Sequence, residues 1–216
     1  MRKPPPTTHA ADDAWLGGFA LLDRTVDYAL GCLRLVTPAD LDRPTPCHGW
    51  DLRTLLTHTN DAFAALTEAA ALGHVALVPP LSDDPRDRDR DRDGHDHGHG
   101  NDGLRNRATG LLHAWAGAKD AVVSVGGCPL TAAMVSAVGA VEVAVHAWDV
   151  ARTCGHPRPI PADVAAELLP LARLFVTDAD RPARFGVPLN TAPRAPAQDR
   201  LLAYLGRDPH WTDNRK

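Results

Sequence analysis

Residues Leu130 to Gly155 read LTAAMVSAVGAVEVAVHAWDVARTCG, and the reading of this stretch decides the fold. It is apolar enough for a central helix, yet it carries Glu142, His146 and Asp149. At about 100° per residue, Glu142 and His146 fall one turn apart and Asp149 two turns from Glu142. Val135, Val138 and Val145 share that face, so the polar groups are expected to project toward the core. A carboxylate buried there without a partner costs several kcal/mol, on the order of 1–3 or more. Three partners would satisfy it: a metal ion held by Glu and His at i, i+4, a Glu–His hydrogen bond, or one of the many arginines.

Composition narrows the class. The 216 residues fit one domain with a substantial core, and 44% of them are apolar. Alanine and leucine dominate, and valines do not alternate as strands require, so helices are expected. A formal charge of −4 with no basic stripe argues against nucleic acid as a partner. Cys32, Cys47, Cys128 and Cys154 have no paired spacing, which suits reduced thiols in a cytoplasm. The opening MRKPPPTTHAADDA lacks the apolar run of a signal peptide, and Ala132 to Trp148 is too short and too interrupted to span a bilayer. A cytoplasmic protein without a membrane segment is the expectation.

Outward from the central stretch, four more helices and a brief C-terminal one are predicted. Residues 1–11 are read as a disordered N-terminus, followed by a single domain over 12–211. Trp15, Phe19, Leu22, Val26, Leu30 and Leu33 repeat at helical spacing over about Asp12 to Val36, and Thr37-Pro38 stops the run. PADLDRPTPCHGW reads as a fixed loop, stiffened by Pro44 and Pro46. A second helix, Trp50 to about Leu72, carries Asp51 in its first turn and a stripe of Leu52, Leu55, Leu56, Thr59, Phe63 and Leu66. His58 stands at the edge of that stripe and, alone, reads as a boundary histidine. Residues 78–102 form an Asp/Arg/His-rich insertion: SDDPRDRDRDRDGHDHGHGND has no apolar residue, so disorder is expected there. His95, His97 and His99 could take up metal adventitiously. A third helix is expected over Leu104 to Ala121, a loop at Gly126, Gly127 and Pro129, and a fifth helix over Ala162 to Phe175, interrupted or kinked at Pro170. The extension 156–211 ends in a brief helix at about Pro196 to Leu205.

No P-loop, GxGxxG, GxSxG or HExxH motif is present. What remains is Glu142-x3-His146 on one helix and His58 on another. If the two helices are neighbours, two imidazoles and one carboxylate converge and leave a coordination position open for water or substrate. Asp149 reads equally as a partner for a ligand imidazole or as a local pairing group. Trp50 and Trp148 read as packing residues, and Cys47 as a structural thiol.

TPCHGWDLRTLLTHT (45–59), VEVAVHAWDVARTCGHP (141–157) and DRLLAYLGRDPHW (199–211) occur in an order that resembles the mycothiol-dependent maleylpyruvate isomerase N-terminal domain family. That family belongs to the DinB/YfiT-like metal-binding superfamily, and the third string is similar to an uncharacterised metal-binding branch of it. The resemblance implies an all-α, DinB-like four-helix bundle, up-down-down-up, with short C-terminal helices and the disordered loop between helices 2 and 3. A long connection there suits parallel neighbours. It implies His58, Glu142 and His146 as metal ligands, with Zn2+ the expected ion and Ni2+ an alternative. It also implies mycothiol as co-substrate: a thiolate on the metal attacks a small electrophile in an S-transferase or isomerase-like reaction. A non-catalytic metal-dependent small-molecule binding protein is the alternative, and a homodimer is common among relatives. Arginines that would hold substrate are not fixed by a motif; Arg53, Arg152 and Arg184 are the candidates.

Overall fold

The computed structural model describes residues 18–75, 100–118, 122–182 and 184–213. The expected disordered N-terminus lies outside these residues, as does the acidic insertion up to residue 99. The chain is mostly helical, with a three-stranded sheet as its only strand structure among the described residues.

Helix α1 runs Gly18–Leu33. Its expected last turn is absent, because the N–H groups of Leu35 and Val36 bond three residues back, to Cys32 and Leu33, and tighten the chain out of the helix. A single 3-10 turn, Pro38–Asp40, follows. Helix α2 runs Leu52–Leu72, and Asp51 is its N-cap rather than a first-turn residue: its carboxylate accepts the Thr54 N–H at 2.8 Å. Helix α3 is Gly100–Ala116. It takes in Gly100 to Asp102, which sequence composition assigned to the disordered insertion. Asp102 sits in its first turn and pairs with Arg105, a placement that favours helix despite the polar composition.

Helix α4, Ala132–Thr153, is the central one, opened by a Thr131 cap that accepts the Met134 N–H. It is long and apolar enough to cross a membrane, and most of it is buried within the protein. Its small residues admit close neighbours; a Cβ at Gly139 would lie 2.7 Å from Leu66 of α2. Helix α4 packs on α1, α2 and α5, and α3 packs on α1 and α2. Contacts fix the directions. Gly18 lies against Ala133 while Gly31 lies against Arg158, so α1 runs parallel to α4. His58 meets Glu142 while Leu66 meets Gly139, so α2 runs antiparallel to α4.

The sheet was not foreseen. Strand β1 (His74–Val75) leaves the end of α2 and pairs in parallel with β2 (Val122–Val125), which follows α3. Both helices therefore end at one side of the molecule, as parallel neighbours do. Strand β3 (Cys128–Thr131) returns antiparallel to β2 across Gly126-Gly127, whose positive φ angles, 56° and 84°, suit a two-residue hairpin turn. The expected loop is this hairpin. Four-residue strands are too short to display alternation, and only the Gly-Gly pair announced them.

Helix α5, Ala162–Phe175, continues through Pro170, which faces solvent where water can serve the freed carbonyl. Helix α6, Ala197–Tyr204, packs on α5. Its Leu201, Leu202 and the following Leu205 are buried in the main core.

Candidate metal centre

A satellite apolar cluster sets the site. Leu52 and Leu55 of α2 pack against Val150 of α4, beside Trp50 and Cys154. Each buried aliphatic side chain contributes about 1.5–3 kcal/mol, enough to pin the N-terminal half of α2 to the C-terminal half of α4. His58 is one turn beyond Leu55 at the edge of this contact, and Glu142 and His146 face it from α4.

The three groups converge. His58 Nε2 lies 2.7 Å from Glu142 Oε1, and His146 Nε2 lies 3.1 Å from the same oxygen. The three ligand-capable atoms all lie within 4.8 Å of one another. The imidazole rings meet edge to face at 5.0 Å. Trp50 roofs both, 4.9 Å from the His58 ring and stacked nearly parallel to the His146 ring at 6.0 Å. Its neighbours make it a wall of the site, more than the packing residue its type suggested.

The burial pattern differs from the sequence reading. Val135 and Val145 are buried, but Val138 is 42% exposed, and the Glu142 side chain is 30% exposed. Glu142 stands at the rim, not within the core. The carboxylate with zero exposure is Asp149. Its Oδ2 is 3.1 Å from His146 Nδ1 and accepts a hydrogen bond from Arg207 Nη2 at 3.3 Å. His146 is therefore flanked by two carboxylates, one on each ring nitrogen. Burial alone would lower its pKa, but Glu142 and Asp149 outweigh that and raise it to about 9. Burial would push the Glu142 carboxyl up; His146 and then His58 override it and hold the group well below the usual range.

Carboxylates offer only acceptors, so each imidazole nitrogen facing one must carry a proton or surrender that place to a cation. Two Nε2 atoms and one carboxylate oxygen at this spacing are a donor set suited to Zn2+ or a similar divalent ion, with a coordination position left open. Asp149 on the far nitrogen fixes the orientation of the His146 ring, the carboxylate–histidine pairing that a metal-binding imidazole would need.

None of the three arginines singled out from sequence joins this network. Arg53 pairs with Asp42, Arg184 with Asp180, and Arg152 reaches the Pro209 carbonyl and lies over Trp148. The arginine that does is Arg207, which the sequence reading did not single out. It lies within the DRLLAYLGRDPHW string (199–211), just after Gly206, a residue with φ 80° where the chain reverses after α6. Cys47 is half-buried, 3.5 Å from Arg207 Nη2; burial pushes its thiol up to about 11, and Arg207 only partly offsets this. It is a packing thiol at neutral pH, as are Cys32 and Cys154, raised by burial to about 11 and about 12.

An open cleft of about 510 Å3 adjoins the cluster, with Thr45, His48, Asp51 and Trp211 among its walls. Trp50 lines it too, so one indole borders both the cleft and the imidazoles.

No curated protein and no solved structure matches this chain. A family model, the mycothiol maleylpyruvate isomerase N-terminal domain, matches residues 22–151, which include all of α2 and most of α1 and α4. With that match over more than half of its length, and with His58, Glu142 and His146 inside it, the chain belongs to the mycothiol maleylpyruvate isomerase N-terminal domain family.

Proposed function

We propose that the chain binds one divalent metal through His58, Glu142 and His146 and uses it to activate a small thiol, of the mycothiol type, for transfer to a small electrophile. The observation that carries this reading is the convergence of both Nε2 atoms on one Glu142 oxygen beneath Trp50, beside an open cleft. Bound at such a site, a divalent cation supplies the charge that makes a thiol or water a nucleophile near neutral pH. Zn2+ fits the mixed nitrogen and oxygen donors, and Ni2+ is the next choice. The chain's own residues do the rest. Asp149 orients His146, Trp50 shields the imidazoles from solvent on one side, and the cleft offers the reactants room. Four unpaired cysteines, three of them kept as neutral thiols, suit a reducing cytoplasm.

A second reading has an observation of its own. Glu142 already receives both imidazoles, so the triad can satisfy itself without any metal. Metal analysis separates the two. It uses the full chain with His95, His97 and His99 changed to alanine, so that uptake by that tract does not count. We expect about one zinc per chain, lost in His58→Ala and in Glu142→Ala, as removal of a ligand from a three-residue site requires. A Co2+-substituted sample should then change its visible spectrum on adding mycothiol and consume an electrophile. No metal after reconstitution leaves the self-satisfied triad. Metal and ligand binding with no electrophile consumed leaves a metal-dependent binding protein.

A further inference from the structure

The family match ends at residue 151, but the network around His146 does not. Arg207 comes from the chain after α6, is 6% exposed, and spends its guanidinium on this region: Nη2 on Asp149 Oδ2 and beside Cys47, Nη1 on the Leu205 carbonyl. The other Asp149 oxygen, Oδ1, has no hydrogen-bond partner among the described residues. The orientation of this buried carboxylate thus rests on two groups meeting at one oxygen, the His146 ring and Arg207. The segment bearing Arg207 is itself held in register. The Arg207 N–H bonds the Leu202 carbonyl at 2.9 Å, Arg152 of α4 reaches the Pro209 carbonyl, and Gly206 packs so tightly on Gly186 that a Cβ there would lie 2.5 Å from the Gly186 Cα.

We infer that the C-terminal segment is part of the metal centre: Arg207 is a positioning residue that clamps Asp149 against His146 Nδ1, so that His146 presents Nε2 to the cation. The inference rests on the metal reading above, and it adds a requirement the matched region cannot meet alone. A second, permanently charged partner on Oδ2 is needed because a buried carboxylate with one imidazole partner is free to rotate about its own bond. The guanidinium removes that freedom while leaving the ring nitrogen bonded.

The test is a Co2+ titration of the full chain, with His95, His97 and His99 changed to alanine, followed by visible absorbance and by competition with a chelator. Arg207→Met should weaken Co2+ affinity about tenfold or more, the usual cost of losing a group that orients a ligand. Arg207→Lys should recover part of the loss. In an Asp149→Asn background the Arg207→Met change should cost little further, since both act through one contact. Helical circular dichroism checks that each variant is folded. If Arg207→Met fails to fold, Arg207→Gln decides, since it keeps volume and removes the charge: affinity equal to the unaltered chain overturns the inference. A second readout needs no metal. The Nδ1–H proton signal of His146 should be sharp and downfield in the unaltered chain and broadened in the Arg207 variants. Tight Co2+ binding that is indifferent to Arg207, with that signal unchanged, overturns the positioning role and leaves the metal reading intact. Absence of Co2+ binding in the unaltered chain overturns the metal reading instead.

Discussion

Glu142 and Asp149 are two carboxylates on one helix, two turns apart, and their surroundings make them opposites. Glu142 is 30% exposed at the rim and meets two imidazoles, groups that can exchange a proton for a metal. Asp149 has no exposure and meets a guanidinium, which never gives up its charge, together with the inner nitrogen of His146. Access to solvent and replaceable partners leave one carboxylate open to exchange. Burial and a permanent cation make the other a fixed support. The distinction lies in what faces each residue from α2 and from the C-terminal segment, not in α4 itself.

The sharpest way to break this contrast is to remove each carboxylate from the metal-free chain. Asp149→Ala leaves Arg207 as a buried charge without its partner, a loss that typically costs about 3–5 kcal/mol. Glu142→Ala removes a carboxylate at the rim and leaves the part-exposed His58 facing water and the buried His146 still paired with Asp149, so it should cost much less. Urea unfolding in the presence of a chelator measures both. Equal costs would mean that Asp149 and Glu142 play the same structural part. With metal present the order should reverse for binding, Glu142→Ala abolishing it and Asp149→Asn weakening it.

A second change acts on the support without touching a charge. Gly206→Ala places a methyl group against Gly186 at a positive φ, a combination worth about 1–3 kcal/mol of strain. It should also loosen Arg207 and so lower Co2+ affinity in the same direction as Arg207→Met. Gly103→Ala is the counterpart: it sits on α3 with nothing within 4 Å of the new Cβ, and should stabilise by up to about 1 kcal/mol without altering metal affinity. An unchanged affinity in Gly206→Ala, despite a measured loss of stability, would detach the turn from the site.

The two halves of the site were not equally legible. The i, i+4 spacing of Glu142 and His146 on an apolar run, with His58 on the edge of a second stripe, is a local pattern that survives translation into a sequence. It carried the helices and the triad. It misjudged depth, because Val138 shares the period of Val135 and Val145 yet is 42% exposed. Arg207 carries no such period. It lies in a short irregular segment, one of 23 Lys and Arg residues, and only tertiary packing turns it inward. The hairpin was hidden for a similar reason, its strands being too short for alternation to appear.

A third carboxylate tests how far exposure governs the contrast, and it is the mildest case. Asp51 caps α2, the helix that delivers His58, and the Thr54 hydrogen bonds hold its carboxyl below the usual range. It is partly exposed where Asp149 is not, so its loss should be cheaper: about 1 kcal/mol for Asp51→Ala, and a few tenths for Asp51→Asn, which keeps an acceptor. The sign of the pH dependence follows from the depressed value. A carboxylate whose folded pKa lies below its unfolded one stabilises above about pH 4 and loses that contribution as the pH falls through the folded value. The gap between the unaltered chain and Asp51→Ala, measured by urea unfolding, should therefore narrow as the pH falls below about 4, whereas the gap to Asp51→Asn should invert, since the amide cannot be protonated there. A gap that stayed constant over that range would mean that the cap works through shape alone. Charge at the start of α2 would then have no part in holding His58 in place.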